Sequence, residues 1–154
     1  MHIEHTALIV ENYDDTIRFF VDALRFDLVE DSPATTNDGR PKSWVVVRPP
    51  QAQTGLLLAE ADGERQVDAI GRQYAGRVGL FLRVDDFEAA RQRMLDHGVQ
   101  FVTEPRDEPY GRLAVFLDLV GNSWDLLGPP RTRVETAPYR RIGGERAAAS
   151  WTER

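Results

Sequence analysis

The chain contains no cysteine, which excludes a disulfide framework, thiolate metal ligands and a cysteine nucleophile. Lysine is almost missing too. Lys42 is the only one among 19 basic residues, a bias that genomic composition alone produces and that carries no binding inference. No apolar run approaches the roughly 20 residues of a membrane span. The N-terminus lacks the basic and apolar blocks of a secretory signal. There is no G-x-G-x-x-G or G-K-[ST] phosphate loop, and Ser43, Ser123 and Ser150 lack nucleophile-elbow context. A net charge of −6 and a pI near 5.1, without runs of like charge, make nucleic acid and anionic membranes poor partners. The expectation is a cytoplasmic protein that binds neither.

What is present is an ordinary globular mixture, 42% hydrophobic and 29% charged over 154 residues, long enough for one domain with a real core. Residues 2–10 read as a strand and 14–24 as an amphipathic helix, with Ile17, Phe20, Val21 and Leu24 on one stripe. Strands follow at 26–29, 43–48 and 56–60, with a turn-rich loop at 31–41. Residues 61–76 are polar and glycine-broken, a linker with a weak helical turn at 66–70. Then the pattern restarts: a strand at 78–84, a helix capped by Asp86 from 87 to 97, Gly98 as its stop, a strand at 99–103, and a loop at 104–110.

The restart is an internal repeat. Val10, Tyr13 and Phe20 match Val84, Phe87 and Met94 at an offset of 74, whereas Phe26 and Leu28 match Val99 and Phe101 at 73. Such a long period is a duplicated half-domain, not a solenoid unit. Each half reads βαβββ. Two halves side by side give an α+β fold: two tandem modules forming a curved, mostly antiparallel eight-stranded sheet around a cleft. Module one spans 2–60, the linker 61–76 and module two 77–128. Residues 129–154 read as a C-terminal arm or disordered tail, with Tyr139, Ile142 and Trp151 as the anchors of an arm that wraps a partner subunit.

The second half ends in F-x-D-x-x-G-N-x-W-D-L over 116–126. Gly121 and Asn122 tolerate a tight reversal, so this is a β-hairpin, with Asp118 placed to bond the turn backbone. Asp125 alternates with Trp124 and Leu126 and faces solvent or a cavity. This motif, together with His5-Thr-Ala-Leu-Ile-Val10, resembles the vicinal oxygen chelate superfamily. That group includes glyoxalase I, extradiol dioxygenases, and fosfomycin and bleomycin resistance proteins.

The resemblance implies paired βαβββ modules and, in the metal enzymes, four ligands from four strands. His5 matches the first ligand and Asp125 the last. The repeat puts the third at Gly79, which cannot ligate, and only Glu60 offers oxygen on the fourth strand. Two residues hold a metal poorly, since catalytic sites usually have three protein ligands. A divalent metal at His5 and Asp125, with Glu60, is therefore the lesser reading, and the expectation is no cofactor. Alternation sets Phe81 and Arg83 opposite the aliphatic residues of their strand, toward the cleft. With His5, Trp44, Tyr110 and Asp125 they form the candidate ligand-binding set, and Asp125 is the expected resting partner of Arg83. An arginine among aromatics suits an aromatic or carboxylate-bearing molecule. Three functions stay open. One is a small-molecule binder without metal, acting as a homodimer. The others are a metal-dependent lyase, isomerase or dioxygenase, and a non-catalytic dimeric module.

Overall fold

The structure is a computed structural model and describes residues 1–131. The anchors expected in the tail lie outside them. Module one comprises β1 (His5–Val10), α1 (Tyr13–Arg18), β2 (Asp27–Thr35), β3 (Pro41–Arg48) and β4 (Gly55–Glu60). The linker carries the short α2 (Glu64–Val67). Module two comprises β5 (Leu80–Arg83), α3 (Phe87–Asp96), β6 (Arg106–Glu108), β7 (Gly111–Leu117) and β8 (Ser123–Gly128). The sheets run β1-β4-β3-β2 and β5-β8-β7-β6, the same topology twice. In each, the first pair is parallel and the other two antiparallel. The α+β class and the tandem modules are as the repeat implies. Within one chain, however, the eight strands make two sheets of four and not one continuous sheet.

The repeat extends to local chemistry. Asn12 accepts a hydrogen bond from Asp15 N at 2.9 Å and starts α1; Asp86, 74 positions on, accepts from Ala89 N at 3.0 Å and starts α3. Each satisfies a backbone donor left orphaned by the first turn. The drop in offset from 74 to 73 has a structural counterpart. After Arg18 the first helix widens into a π-helical turn, Phe19–Ala23, whereas α3 stays α-helical throughout. A π turn absorbs one inserted residue without ending a helix. The stops then align at 73: Gly98 sits at φ 76° and its counterpart Arg25 at φ 61°.

One face of each sheet carries the helices, and these two faces share a single core. Leu8, Val45 and Leu58 of the first sheet cluster with Phe116, Trp124 and Leu126 of the second. Phe20 bridges them, its ring 5.9 Å from that of Trp124, which in turn lies 5.7 Å from Phe116. Full burial of a side chain such as Phe20 contributes about 1.5–3 kcal/mol. Arg93 of α3 donates Nε–H to the Ala23 carbonyl at 3.2 Å and ties the helices together. Burial, and the nearby Arg25 charge, lower the Arg93 pKa.

Two stretches differ from expectation. The strand expected at 99–103 reduces to a bridge between Phe101 and Phe116. Around it, Val102 N donates to Val115 O and Leu117 N to Gln100 O, both at 2.9 Å. The Thr103 hydroxyl accepts from Val115 N where a strand carbonyl would otherwise stand. Regular pairing resumes at β6, inside the expected loop and between Pro105 and Pro109. In module one, β2 runs on to Thr35 because Ser32, Pro33 and Ala34 keep register with Trp44, Ser43 and Lys42. Pro33 is tolerated there because β2 is an edge strand.

Candidate functional site

Each sheet turns its second face away from the shared core, and the candidate residues lie there. In module one, His5 shares its face with Trp44 across β4, the rings edge-on with centroids 6.3 Å apart. Gly55 between them allows this. A Cβ there would meet Val46 Cγ1 at 2.9 Å and His5 Nδ1 at 3.2 Å, so the absent side chain makes room for the imidazole. His5 Nδ1 is buried and has no hydrogen-bond partner, a cost that a ligand or water offsets.

In module two, Phe81 stands 63% exposed, unusual for a phenylalanine on a strand. Arg83, two residues on, is exposed as well. Asp125 pairs in register with Phe81 on one side and Val115 on the other, and is 8% exposed. Arg83 lies in register with Leu127 and reaches past β8 toward Gly111, whose Cβ position is 3.9 Å from Arg83 Nη1. Gly111 itself, at φ 148°, has backbone where a Cβ would stand, because Gly128 O is already there. Among the described residues no carboxylate comes within ion-pair distance of Arg83. Tyr110, half exposed, precedes Gly111 at the same end of the sheet.

The candidate residues therefore fall into two candidate half-sites, His5 with Trp44 at the first sheet and Arg83, Phe81, Tyr110 and Asp125 at the second. The structure does not bring them together in one chain. The alternative metal set fares no better. Glu60 pairs with Val10 while His5 pairs with Gly55, so they sit at opposite ends of the β1–β4 ladder, about 16 Å apart at the usual strand rise. Asp125 belongs to the other sheet. Among the described residues, no three His, Cys, Asp or Glu side chains are grouped. At Gly79 a Cβ would overlap the ring of Tyr74. The linker thus fills the very space a third ligand would need, and among the described residues of one chain no set fits a catalytic metal.

Tyr74 was not legible as part of this region, since nothing in a polar linker says where its aromatic residue will land. Its pKa is raised by burial and by the Asp118 charge. Asp118 is buried and receives four hydrogen bonds, from Val120 N, Asn122 N, Asn122 Nδ2 and Trp124 Nε1, at 2.8–3.2 Å. It is the keystone of the β7–β8 turn and takes no part in either half-site. A second charged cluster sits at the β2–β3 turn. The Thr36 hydroxyl and Arg40 hold the Asp38 pKa down to about 2, and Arg40 lowers that of Asp62.

With this geometry in view, comparison with known proteins is specific. Residues 2–126 match the Glyoxalase/Bleomycin resistance protein/Dioxygenase superfamily, and the chain belongs to it. An uncharacterized protein of Shewanella frigidimarina is 49% identical over 126 residues, covering 81% of this chain and 91% of the relative. Among solved structures, UcmS2 superposes with a TM-score of 0.68 at 26% identity, covering 82% of this chain and 97% of that one. TnmS3, an antibiotic binding protein from Streptomyces sp. CB03234, superposes at 0.65 with 29% identity, covering 84% and 96%.

Proposed function

We propose that this protein binds a small organic molecule, aromatic and anionic in part, without a resident metal, and does so as a homodimer. The observation that carries the reading is the pairing of Phe81 and Arg83. An exposed aromatic ring stands beside an exposed guanidinium without a carboxylate partner among the described residues, on the sheet face opposite the shared core. A ring and a forked cation two residues apart on one strand match a planar molecule bearing a carboxylate. The likeness to TnmS3 supports a binding role, since that protein binds an antibiotic; what this chain binds follows from its own side chains. His5 and Trp44 supply the opposite wall.

The homodimer follows from where the half-sites lie. Both of these faces point away from the core the two modules share, so a molecule touching Trp44 and Arg83 at once needs module one of one chain against module two of another. Two edge strands are on hand for that contact, β1 and β5. The metal-free reading rests on Gly79, on the Tyr74 ring beside it, and on the distance of Glu60 from His5.

Elemental analysis of the purified protein tests the metal. Well under one transition-metal ion per chain is expected, and about one per chain, lost in His5→Ala, would overturn that part. Calorimetric titration with planar aromatic carboxylates, set against the corresponding amides, tests the ligand class. Preference for the acids is expected; equal binding of both, or of neither, contradicts it.

A further inference from the structure

We propose that module one holds a second binding site, in a fork between β3 and β4, for a small planar molecule with an amide-type hydrogen-bonding edge. The β3–β4 ladder contains Val45↔Leu58, Val46↔Leu57 and Val47↔Leu56, and stops there. Both strands nevertheless continue. β3 stays paired with β2 as far as Thr35↔Pro41, and β4 with β1 as far as Val10↔Glu60. The sheet therefore splits into two ribbons that diverge beyond Val45 and Leu58.

Extending the register would make Trp44 and Ala59 the next pair and Ser43 and Glu60 the next hydrogen-bonded one. Strand alternation settles which way their backbone groups point. Gly55 N donates to Glu4 O and Ala61 N to Val10 O, so the odd residues of β4 bond toward β1 and the even ones, Glu60 included, toward β3. The ladder that would join Glu60 to Ser43 is not made. The Ser43 carbonyl instead accepts from the Tyr13 hydroxyl at 3.1 Å. Tyr13 props the fork open and takes the acceptor that a closed ladder would have used.

The gap is a cavity of about 590 Å³, within the range of small-molecule sites. Tyr13 and Trp44 contribute to its lining, along with Ala59, Glu60 and Gln66. Its far side is closed by Arg40, which makes two bonds to Asp62 at 2.6 and 3.0 Å and one to Asp38 at 2.8 Å. That clamp joins the β2–β3 turn to the segment after β4, across the opening. Main-chain donors of Ser43 and Glu60 and the Glu60 carbonyl face the space, as they would face a neighbouring strand. A planar molecule carrying an N–H beside a C=O reproduces the edge of that missing strand, with aromatic side chains available to its faces. This site uses neither Arg83 nor Phe81 and shares only Trp44 with the cleft proposed above.

Uracil is a suitable probe, with 1,3-dimethyluracil, whose N–H donors are blocked, as control. In amide-resolved NMR of the full chain, uracil should shift the Ser43 and Glu60 amides saturably. The dimethylated compound should bind roughly tenfold more weakly, the effect of losing one or two neutral hydrogen bonds. Arg83→Ala should leave these shifts unchanged, and Ala59→Phe, which fills the fork, should remove them. Shifts that are absent, equal for the two compounds, or centred on Phe81 and Arg83 would overturn the proposal. The comparison of the two compounds needs no variant, so it stands even where Ala59→Phe fails to fold.

Discussion

Arg83 carries the recognition argument at the scale of single residues. In the proposed binding reading this guanidinium, exposed beside Phe81, makes its strongest bonds to a ligand. Arg83→Ala should weaken binding of an aromatic acid by about 1.5–3 kcal/mol, the range for a hydrogen bond to a charged group. Arg83→Lys should recover little, because the bidentate fork is lost. Calorimetry that gives both variants wild-type affinity would remove Arg83 from the site. Asp118 makes the opposite case, a buried carboxylate whose four bonds are spent on the fold. Asp118→Ala should cost about 2–4 kcal/mol of stability by leaving buried donors without an acceptor. Urea unfolding checks it, and a change under about 0.5 kcal/mol, ordinary for a surface site, would contradict it.

At the scale of elements, much was readable from periodicity and caps. The offset change from 74 to 73 marked one extra residue in module one before the π turn Phe19–Ala23 gave it a shape. Alternation puts His5, Phe81 and Arg83 on the faces opposite the core residues of their strands, because period two is fixed by strand geometry, and Phe81 and Arg83 are exposed there. The misreadings have physical reasons. At 99–103 the apolar pattern is that of a strand, but the Thr103 hydroxyl competes with the backbone for Val115 N. The fork at Ser43 and Glu60 depends on a phenol thirty residues away, which no local pattern announces. The repeat also yields a prediction. Arg25 occupies the left-handed position that Gly98 fills in module two, and a non-glycine residue there carries strain. Arg25→Gly should raise stability by about 0.5–1 kcal/mol, less whatever the added freedom of the unfolded chain removes. Thermal unfolding with a lowered midpoint would show that Arg25 makes compensating contacts.

The whole molecule is where sequence reasoning reached least far. A duplicated βαβββ unit predicts two half-sheets, yet which faces they turn to each other depends on the summed burial of side chains such as Phe20 and Trp124. In this chain the helix-bearing faces meet, and Trp44 and Arg83 lie on the sheet faces turned away from that core. The account therefore rests on a site shared between two copies, and mixing two inactive variants tests that directly. Trp44→Ala and Arg83→Ala homodimers should each bind an aromatic carboxylate weakly. A heterodimer isolated with two different tags combines one defective chain of each kind. If module one of one chain faces module two of the other, one of its two sites collects both defects and the other has none. The account predicts that calorimetry on the heterodimer recovers wild-type affinity at one site per dimer. No recovery at all would mean that Trp44 and Arg83 act within a single chain, or not together, and would contradict it.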